Sequence, residues 1–318
     1  MPAYSSESIT KSDAQSYSST RALGARRTTA MHRVHKLRPM RRFLATPPRR
    51  GLRIAAVQLT VTPDPVNNLK RAMGGIAAAA SSGATIAALP ECFVGSYGVD
   101  HFAKWAEVLG QFGGSAMMAA AAKDHKIHVI GGVIEADEER GCMFNTIVAY
   151  GPDGELAAKY RKVHLSRVMG ITSESDVLQP GDAPVDFMAG ETRVGLACCF
   201  DLRFPRLLAK YGPAPSDTGP CDVLVAPSAF LDTTGHPHWE LLCRRAALDT
   251  QCFVVAPNMS FRSEDAVPLH GRSMVCGPWG DVLAECEYEG DAVVVAEADM
   301  ERLEEIRRKL PLATAARL

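Results

Sequence analysis

Three short segments of the chain carry a carboxylate, an amine and a thiol in positions suited to chemistry. Glu91 lies in LPECFVGSYG, Lys162 in KYRKVHL and Cys199 in LACCFDLRFP. Each segment follows or ends an apolar run typical of a strand, and α/β folds place functional side chains just past strand ends. A thiol needs a neighbouring base or cation to become nucleophilic. A glutamate base, a lysine that stabilises an oxyanion and a cysteine together favour acyl transfer.

Each of these residues also has an ordinary structural interpretation. Taken singly, Glu91 is typical of a turn carboxylate, Lys162 of a surface charge and Cys199 of a core thiol. Spacing along the chain does not show that the three side chains meet in space. The choice between the two interpretations therefore depends on the elements that position them.

Strand-like and helix-like segments alternate along most of the chain. RIAAVQL, beginning at Arg53, is typical of a short buried strand, and NLKRAMGGIAAAASS has helical spacing. A further helix is predicted over Phe102–Lys123. In all, about nine strands and four or five helices predict a single layered α/β domain over residues 51–318. No phosphate loop, no GxGxxG after a strand and no internal repeat is present in the sequence.

Composition and cysteine usage exclude several classes of protein. The 47% hydrophobic and 22% charged residues are typical of a globular protein, and no apolar stretch reaches the length of a membrane span. Nine scattered cysteines without a CxxC argue against a disulfide framework and favour a reducing compartment. His236 and His238 could suggest a metal pair, but no third ligand stands at a suitable spacing. We therefore expect no metal and no cofactor.

The first 50 residues differ sharply from the rest. They hold 11 Lys and Arg against 2 Asp and Glu, whereas the remainder holds 24 against 34. The acid-free run 31–50 suits a mitochondrial transit segment, and a disordered basic leader without a targeting role is the alternative. No aromatic or base-reading motif accompanies the charge, so neither a nucleic acid nor a membrane is the expected partner. Residues 1–50 are predicted to be a disordered basic extension of a cytoplasmic or mitochondrial protein.

Taken together, the three reactive segments resemble the nitrilase, or carbon–nitrogen hydrolase, superfamily. The family pattern G-[LI]-x-x-C-[YF]-D-x-R-F-P matches residues 195–205 in register only when Cys199 is the nucleophile. Leu89-Pro90-Glu91 and Tyr160-Arg161-Lys162 match the other two signatures of the family. The resemblance covers about 51–318 and implies a four-layer α-β-β-α sandwich with one catalytic domain.

The same resemblance implies a role for individual residues. Glu91 would be the general base, Lys162 the oxyanion stabiliser, and the backbone N–H of Phe200 a second oxyanion donor. A second glutamate that assists this trio in the family maps to Glu135, after GGVI, with Glu138 as the alternative.

The resemblance also separates the two adjacent cysteines. Cys198 takes a position usually held by an aliphatic residue. Because adjacent residues of a strand face opposite sides of the sheet, Cys198 is predicted to point into packing while Cys199 faces the pocket. A nucleophilic Cys199 is expected to show a depressed thiol pKa.

Two segments, 90–98 and 229–242, resemble the ω-amidase branch of the family. This resemblance implies hydrolysis of the distal amide of an α-keto acid monoamide, 2-oxoglutaramate or 2-oxosuccinamate, through a cysteine thioester with release of ammonia. Arg203 would bind the free carboxylate of the substrate, since a guanidinium offers a bidentate fork. Tyr97 and Phe230 would line the pocket.

Other features leave alternatives open. TQCFVVAPN (250–258) and EEIRRKLP (304–311) resemble the deaminated-glutathione amidases, and another carbon–nitrogen hydrolase activity is also compatible. Arg206 replaces the glutamate usual after RFP, and the stretch from His164 to Ile171 is about four residues shorter than the ω-amidase pattern. These departures motivate a non-enzyme alternative, a scaffold or binding protein that has lost turnover.

The resemblance implies, finally, how the chain would assemble. Family members pair across a two-fold axis through helices that follow the nucleophile, so a homodimer or a higher homo-oligomer is expected. The predicted helix at 204–211 is the candidate contact. The expected partner at the site itself is a small-molecule amide substrate.

Overall fold

The computed structural model describes residues 51–167, 173–213, 219–261 and 268–315. The predicted basic extension, residues 1–50, and part of the shortened stretch after His164 lie outside these ranges. Within them, no helix is both long enough and apolar enough to cross a membrane.

The described residues form fourteen strands and seven α-helices. The strands are β1 (Leu52–Thr60), β2 (Ile86–Ala88), β3 (His128–Asp137), β4 (Cys142–Tyr150), β5 (Leu156–Arg161), β6 (Val185–Ala189), β7 (Thr192–Leu196), β8 (Val223–Val225), β9 (Phe253–Ala256), β10 (Met259–Phe261), β11 (Leu269–His270), β12 (Met274–Cys276), β13 (Val282–Glu285) and β14 (Ala292–Ala298). The helices are α1 (Pro65–Ser81), α2 (Val99–Trp105), α3 (Gly113–His125), α4 (Pro205–Leu208), α5 (Asp232–Thr250), α6 (Met300–Lys309) and α7 (Leu312–Ala315).

Two sheets form the centre of the fold. The first has eight strands in the order β11-β10-β1-β2-β3-β4-β5, with β14 antiparallel to β1. The second has six, in the order β13-β12-β9-β8-β7-β6. Each sheet has a parallel core, β1-β2-β3 in the first and β7-β8-β9 in the second. Parallel strands end at one edge, so residues that follow β2, β7 and β8 are brought together there.

The side chains of β1 show how the layers stack. Ala55 and Val57 pack with the buried faces of α1 and α3, whereas Ile54 and Ala56 pack with residues of the second sheet. The opposite face of the second sheet packs against α5, through Trp239 among others. Because successive side chains of β1 point to opposite faces of the first sheet, the fold has two hydrophobic cores, one on each face of that sheet. The result is the four-layer α-β-β-α sandwich that the resemblance implied.

The helix predicted over Phe102–Lys123 is two helices, so that prediction was wrong in its continuity. The carboxylate of Glu107 accepts the N–H groups of Gly114 and Ser115, each at 2.7 Å, at the first turn of α3. The residue Gly113, with a φ of +74°, allows the chain to turn into this helix. A carboxylate that satisfies free N–H groups at a helix start is strongly stabilising, and it fixes the break between α2 and α3.

Candidate active site

A buried cluster of charged and polar side chains lies where the two sheets meet. Glu91 follows β2, Lys162 follows β5, and neither side chain has any exposed surface. The Nζ of Lys162 lies 2.8 Å from Oε1 of Glu91. It also lies 3.1 and 2.9 Å from the two oxygens of Glu174. One buried ammonium therefore bridges two buried carboxylates.

Glu91 is held by donors from both sheets. Its Oε1 accepts from Lys162 and, at 2.6 Å, from Nδ2 of Asn145 on β4. Its Oε2 accepts the backbone N–H of Ala229 at 2.8 Å. Ala229 follows β8 of the second sheet, so Glu91 connects the carboxyl-terminal edges of both sheets. A buried carboxylate with this many donors is fixed in one orientation.

Glu174 is the member of the cluster that the sequence analysis missed. It opens a short 3-10 helix (Glu174–Asp176), and its carboxylate accepts the N–H of Ser166 at 2.6 Å and the hydroxyl of Tyr97 at 3.0 Å. Nothing in the local pattern SESD sets this glutamate apart from a surface turn. Its partners, Asn145 and Lys162, come from other elements, so only the fold reveals the contact.

Glu135, predicted as the assisting glutamate, lies elsewhere. Its carboxylate accepts from Arg161 at 2.9 and 2.6 Å, from Lys159 at 2.9 Å and from Thr146 at 2.8 Å. None of these partners is Glu91, Lys162 or a cysteine. The prediction for Glu135 was therefore wrong in position, because bonds from Thr146 on β4 and Arg161 on β5 hold its carboxylate outside the cluster. The alternative Glu138 is exposed and does not join the cluster either.

Replacing Glu135 by glutamine should lower stability and leave turnover unchanged. Loss of its charged hydrogen bonds should cost about 1–3 kcal/mol of unfolding free energy at neutral pH. Burial alone would raise the pKa of Glu135, but its bonds to Arg161 and Lys159 outweigh burial and lower the pKa. The stabilisation that the Glu135 carboxylate gives to the fold is therefore complete above its unfolded-state pKa and is lost as the pH falls through its folded-state pKa. The stability difference between the wild type and Glu135→Gln should shrink on acidification, measured by urea unfolding from pH 7 downward.

Glu174→Gln is the matched comparison for that variant. Glu174→Gln should lower turnover strongly, because Glu174 binds Lys162 in the cluster, whereas Glu135 does not. Equal turnover in the two variants would contradict the placement of Glu174 in the site.

The two cysteines lie at a sharp turn beyond β7. Cys199 begins a 3-10 helix (Cys199–Arg203) with a φ of +45°, a left-handed conformation that is uncommon for a cysteine. Asp201 stabilises this turn through hydrogen bonds. Its Oδ2 accepts the N–H of Cys198 at 3.0 Å and the hydroxyl of Tyr160 at 2.6 Å. Its Oδ1 accepts the ring of His164 at 2.8 Å. Asp201 thus orders the elbow that carries the thiol, and strain of this kind concentrates at functional sites.

Cys198 is buried among core residues, as predicted, but its thiol also reaches the polar cluster, which the prediction did not include. Its Sγ donates to Oε1 of Glu91 at 3.2 Å and lies 3.7 Å from Oδ1 of Asn145. Strand β7 ends at Leu196, so the two-residue alternation no longer applies at the cysteines. Cys198 is completely buried, whereas Cys199 keeps 7% of its surface exposed.

The electrostatics around Cys199 favour a neutral thiol at rest. Burial raises its pKa well above the usual value, and the charge of Glu91 raises it further. Lys162 and the N–H of Ala229 act in the opposite direction and only partly offset this. The expected depressed pKa is therefore wrong, and activation requires a base to remove the proton. For Lys162, burial alone would lower the pKa, but Glu174 and Glu91 outweigh it and raise the pKa, so the side chain is an ammonium.

The predicted substrate-contacting residues surround this cluster. Phe230 is 2% exposed, and its ring lies 5.1 Å from the guanidinium carbon of Arg203. The Nη1 of Arg203 donates to Nδ1 of His238 at 3.3 Å. Tyr97 is tied to Glu174 through its hydroxyl, so it supports the cluster as well as bordering it. Across the described ranges, the N–H of Phe200 donates to no protein acceptor.

The model of the carbon–nitrogen hydrolase family matches residues 53–308. The chain is a carbon–nitrogen hydrolase. This hydrolase is 39% identical over 267 residues to the omega-amidase NIT2 of Homo sapiens, covering 82% of this chain and 94% of the human protein. It is also 39% identical to the omega-amidase NIT2 of Xenopus tropicalis, covering 82% and 93% of the two chains.

Solved structures agree with this assignment. The carbon–nitrogen hydrolase superposes on Nit3 of Saccharomyces cerevisiae, a member of branch 10 of the nitrilase superfamily, with a TM-score of 0.74 and 31% identity. That match covers 83% of this chain and 96% of the yeast chain. The NitFhit protein of C. elegans matches with a TM-score of 0.72 and 28% identity, covering 84% of this chain and 65% of that one. The chain is therefore an amidohydrolase of the nitrilase superfamily, and its relatives at 39% identity are omega-amidases.

Proposed function

We propose that this carbon–nitrogen hydrolase removes ammonia from the distal amide of short α-keto dicarboxylic monoamides, 2-oxoglutaramate or 2-oxosuccinamate, through a thioester on Cys199. The observation that carries the proposal is the buried Glu91–Lys162–Glu174 cluster beside a strained, slightly exposed cysteine. The 39% identity to omega-amidases over 82% of the chain supports the substrate class.

In the first half of the reaction, Glu91 takes the proton of the Cys199 thiol as the sulfur attacks the amide carbon. The resulting oxyanion needs positive partners where the charge develops. Lys162 supplies an ammonium, and the unpartnered N–H of Phe200 supplies a second donor. Glu91 then gives its proton to the amide nitrogen, the C–N bond breaks, and ammonia leaves from an acyl-thioester.

In the second half, Glu91 is again a carboxylate and acts as base towards water. The water oxygen attacks the thioester carbon, the C–S bond breaks, and the proton returns to sulfur. Glu174 holds Lys162 in position throughout, and the bonds from Asn145 and Ala229 keep Glu91 aimed at the reacting atoms. The same carboxylate thereby serves as base, acid and base in turn.

Arg203 is the residue that fits the free carboxylate of the substrate. Within the described residues no carboxylate forms an ion pair with it, and its contacts are the ring of Phe230 and the neutral acceptor of His238. The thiol of Cys199 is near enough to influence its pKa, which burial lowers. A partly buried guanidinium without an anionic partner favours binding of an anion.

Arg203→Gln should raise the KM for 2-oxoglutaramate far more than it changes kcat. Loss of a charge-assisted pair costs about 1.5–3 kcal/mol, which corresponds to roughly a 10- to 100-fold loss of kcat/KM. A neutral amide with a carbon chain of the same length, such as pentanamide, should be hydrolysed equally by both forms. Arg206→Gln, which changes an exposed arginine three residues later, is the matched control and should match the wild type.

A substrate panel tests the proposal as a whole, with ammonia release as the readout and, for deaminated glutathione, release of cysteinylglycine. The purified hydrolase should act on 2-oxoglutaramate or 2-oxosuccinamate with a higher kcat/KM than on deaminated glutathione, an N-carbamoyl amino acid or a nitrile. A preference for deaminated glutathione would replace the proposed substrate. No turnover of any of these compounds would favour the scaffold alternative.

A further inference from the structure

A second cluster of ligating side chains lies outside the catalytic one. Asp232 and His236 stand on the first two turns of α5, and His270 stands on β11. Each offers an oxygen or nitrogen atom, and the three atoms lie within 4.8 Å of one another. Among the described residues, no other group of three histidines, cysteines or acidic residues meets this condition.

The two distances from Asp232 to the histidines fit a tetrahedral transition-metal ion. Oδ1 of Asp232 lies 3.3 Å from Nε2 of His236 and 3.2 Å from Nδ1 of His270. Two ligands bound to zinc at about 2.0–2.1 Å with tetrahedral angles are about 3.3 Å apart. The side chains therefore hold a spacing that an ion could enter with little movement. Two imidazoles and one carboxylate are donors that zinc prefers.

Sequence reasoning overlooked this cluster for two reasons. Pro237 suggested a turn, whereas α5 already begins at Asp232 and contains the proline. Residues four apart on a helix share one face, so Asp232 and His236 meet. The third ligand, His270, is distant in sequence, and His238 turns instead to Arg203.

The backbone around the cluster is held in place. The N–H of Asp232 donates to the carbonyl of Pro268 at 2.9 Å, and the N–H of His270 donates to the carbonyl of Phe230 at 2.8 Å. At Gly235, an added Cβ would lie 2.2 Å from Cγ of His270, so only glycine lets this ring lie against α5. The two segments that carry the ligands are thus fixed to one another, which is the preorganisation that a metal site needs.

The exposure of the two histidines also suits a metal site. His270 is 1% exposed, and its Nδ1 lies 3.2 Å from Oδ1 of Asp232. His236 is 57% exposed, so an ion can reach the cluster from solvent. The ring of Tyr288, 5.4 Å from His236 and 5.2 Å from His270, borders the cluster.

We propose that Asp232, His236 and His270 bind a divalent transition-metal ion, with zinc the best match and water completing the coordination. The ion would join the start of α5 to β11, next to Phe230. It would support the wall of the substrate pocket and take no part in bond breaking. The proposal does not depend on which amide the enzyme hydrolyses.

Zinc titration of the chelator-treated full chain tests this proposal by calorimetry. We expect one zinc per chain with a Kd in the micromolar range or below, and a rise in Tm of about 4 °C at saturation. His236→Ala removes an exposed ligand and should weaken zinc binding at least 100-fold. His238→Ala, two residues along the same helix, is the matched control and should keep the wild-type Kd.

Cobalt(II) separates this cluster from the cysteines. Cobalt bound to nitrogen and oxygen gives visible ligand-field bands without the intense near-ultraviolet charge transfer of a thiolate, and Cys199→Ser should leave the bands unchanged. Equal zinc affinity in the wild type and His236→Ala would overturn the proposal. Absence of binding by the wild type at 100 µM zinc, about 100 times a micromolar Kd, would also overturn it.

Discussion

Cys199→Ala should lower kcat/KM for 2-oxoglutaramate on the order of 10⁴-fold or more, whereas Cys198→Ala should stay within about tenfold of the wild type. Of the two adjacent cysteines, only Cys199 combines a left-handed backbone, partial exposure and proximity to both Glu91 and Lys162. Removing the attacking group leaves no route to the thioester. Ammonia release under saturating and limiting substrate is the measurement.

The matched variant is informative because Cys198 also touches the base. Its thiol donates to Glu91 at 3.2 Å, so Cys198→Ala removes a bond to that carboxylate and leaves a small cavity in a buried position. We expect a loss of about 1–2 kcal/mol of stability and a modest change in turnover. Near-complete loss of activity in Cys198→Ala, with normal activity in Cys199→Ala, would reverse the assignment.

Lys162→Met should lower turnover strongly and destabilise the fold at the same time. The substitution preserves much of the apolar stem but leaves Glu91 and Glu174 without their shared cation in a site with almost no exposed surface. Removing one partner of a buried ion pair typically costs about 3–5 kcal/mol. Loss of the oxyanion partner should lower kcat about 10²- to 10³-fold or more. Urea unfolding and ammonia release measure the two effects separately.

Acid should narrow the stability difference between Lys162→Met and the wild type. In the wild type, burial alone would raise the pKa of Glu174, but Lys162 and the N–H of Ser166 outweigh it and lower the pKa. That contribution is present above the unfolded-state pKa and is lost as the pH falls. In Lys162→Met, burial without the lysine raises the folded-state pKa of Glu174. The variant therefore becomes more stable relative to the wild type as the Glu174 carboxylate is protonated. A difference that widens toward low pH would contradict this account.

A double variant tests whether uncompensated charge causes the loss of stability in Lys162→Met. Lys162→Met combined with Glu174→Gln removes one of the two uncompensated charges and leaves Glu91 with its bonds to Asn145 and Ala229. It should recover part of the stability lost in the single variant and none of the activity. If the double variant is as unstable as the single one, lost packing and not lost charge explains the effect.

The sequence predicted the elements of the fold where local pattern determines them. RIAAVQL forms β1, the predicted first helix forms α1, and CFVVAP contributes β9. Alternating apolar residues and helical spacing are local properties, and burial on both sides of each sheet reinforces them. Short strands such as β2 and β11, with three and two residues, carry too little pattern to be counted from sequence alone.

Long-range contacts set the limit on what the sequence could show about the site. Glu91, Lys162 and Cys199 were found because each follows a strand within a recognisable segment. Glu174 was missed because its role depends on Lys162, Asn145 and Tyr97, which arrive from three separate elements. The contact of Cys198 with Glu91 was missed because β7 already ends at Leu196, so strand alternation does not set the orientation of Cys198.

Some expectations stay predictions. The homodimer, the mitochondrial or cytoplasmic location and the role of residues 1–50 rest on the sequence and the resemblance. On α5, Leu241 and Leu248 are 65% and 47% exposed, which is compatible with a partner surface on this helix.

Acid quench of the enzyme during turnover, followed by peptide mass spectrometry, tests the central claim most directly. The account predicts an acyl adduct of the substrate on Cys199, with fragmentation between the two adjacent residues showing Cys198 unmodified. The other seven cysteines should also remain unmodified. An adduct on Cys198, or steady ammonia release by a Cys199→Ser variant that never carries an adduct, would contradict it.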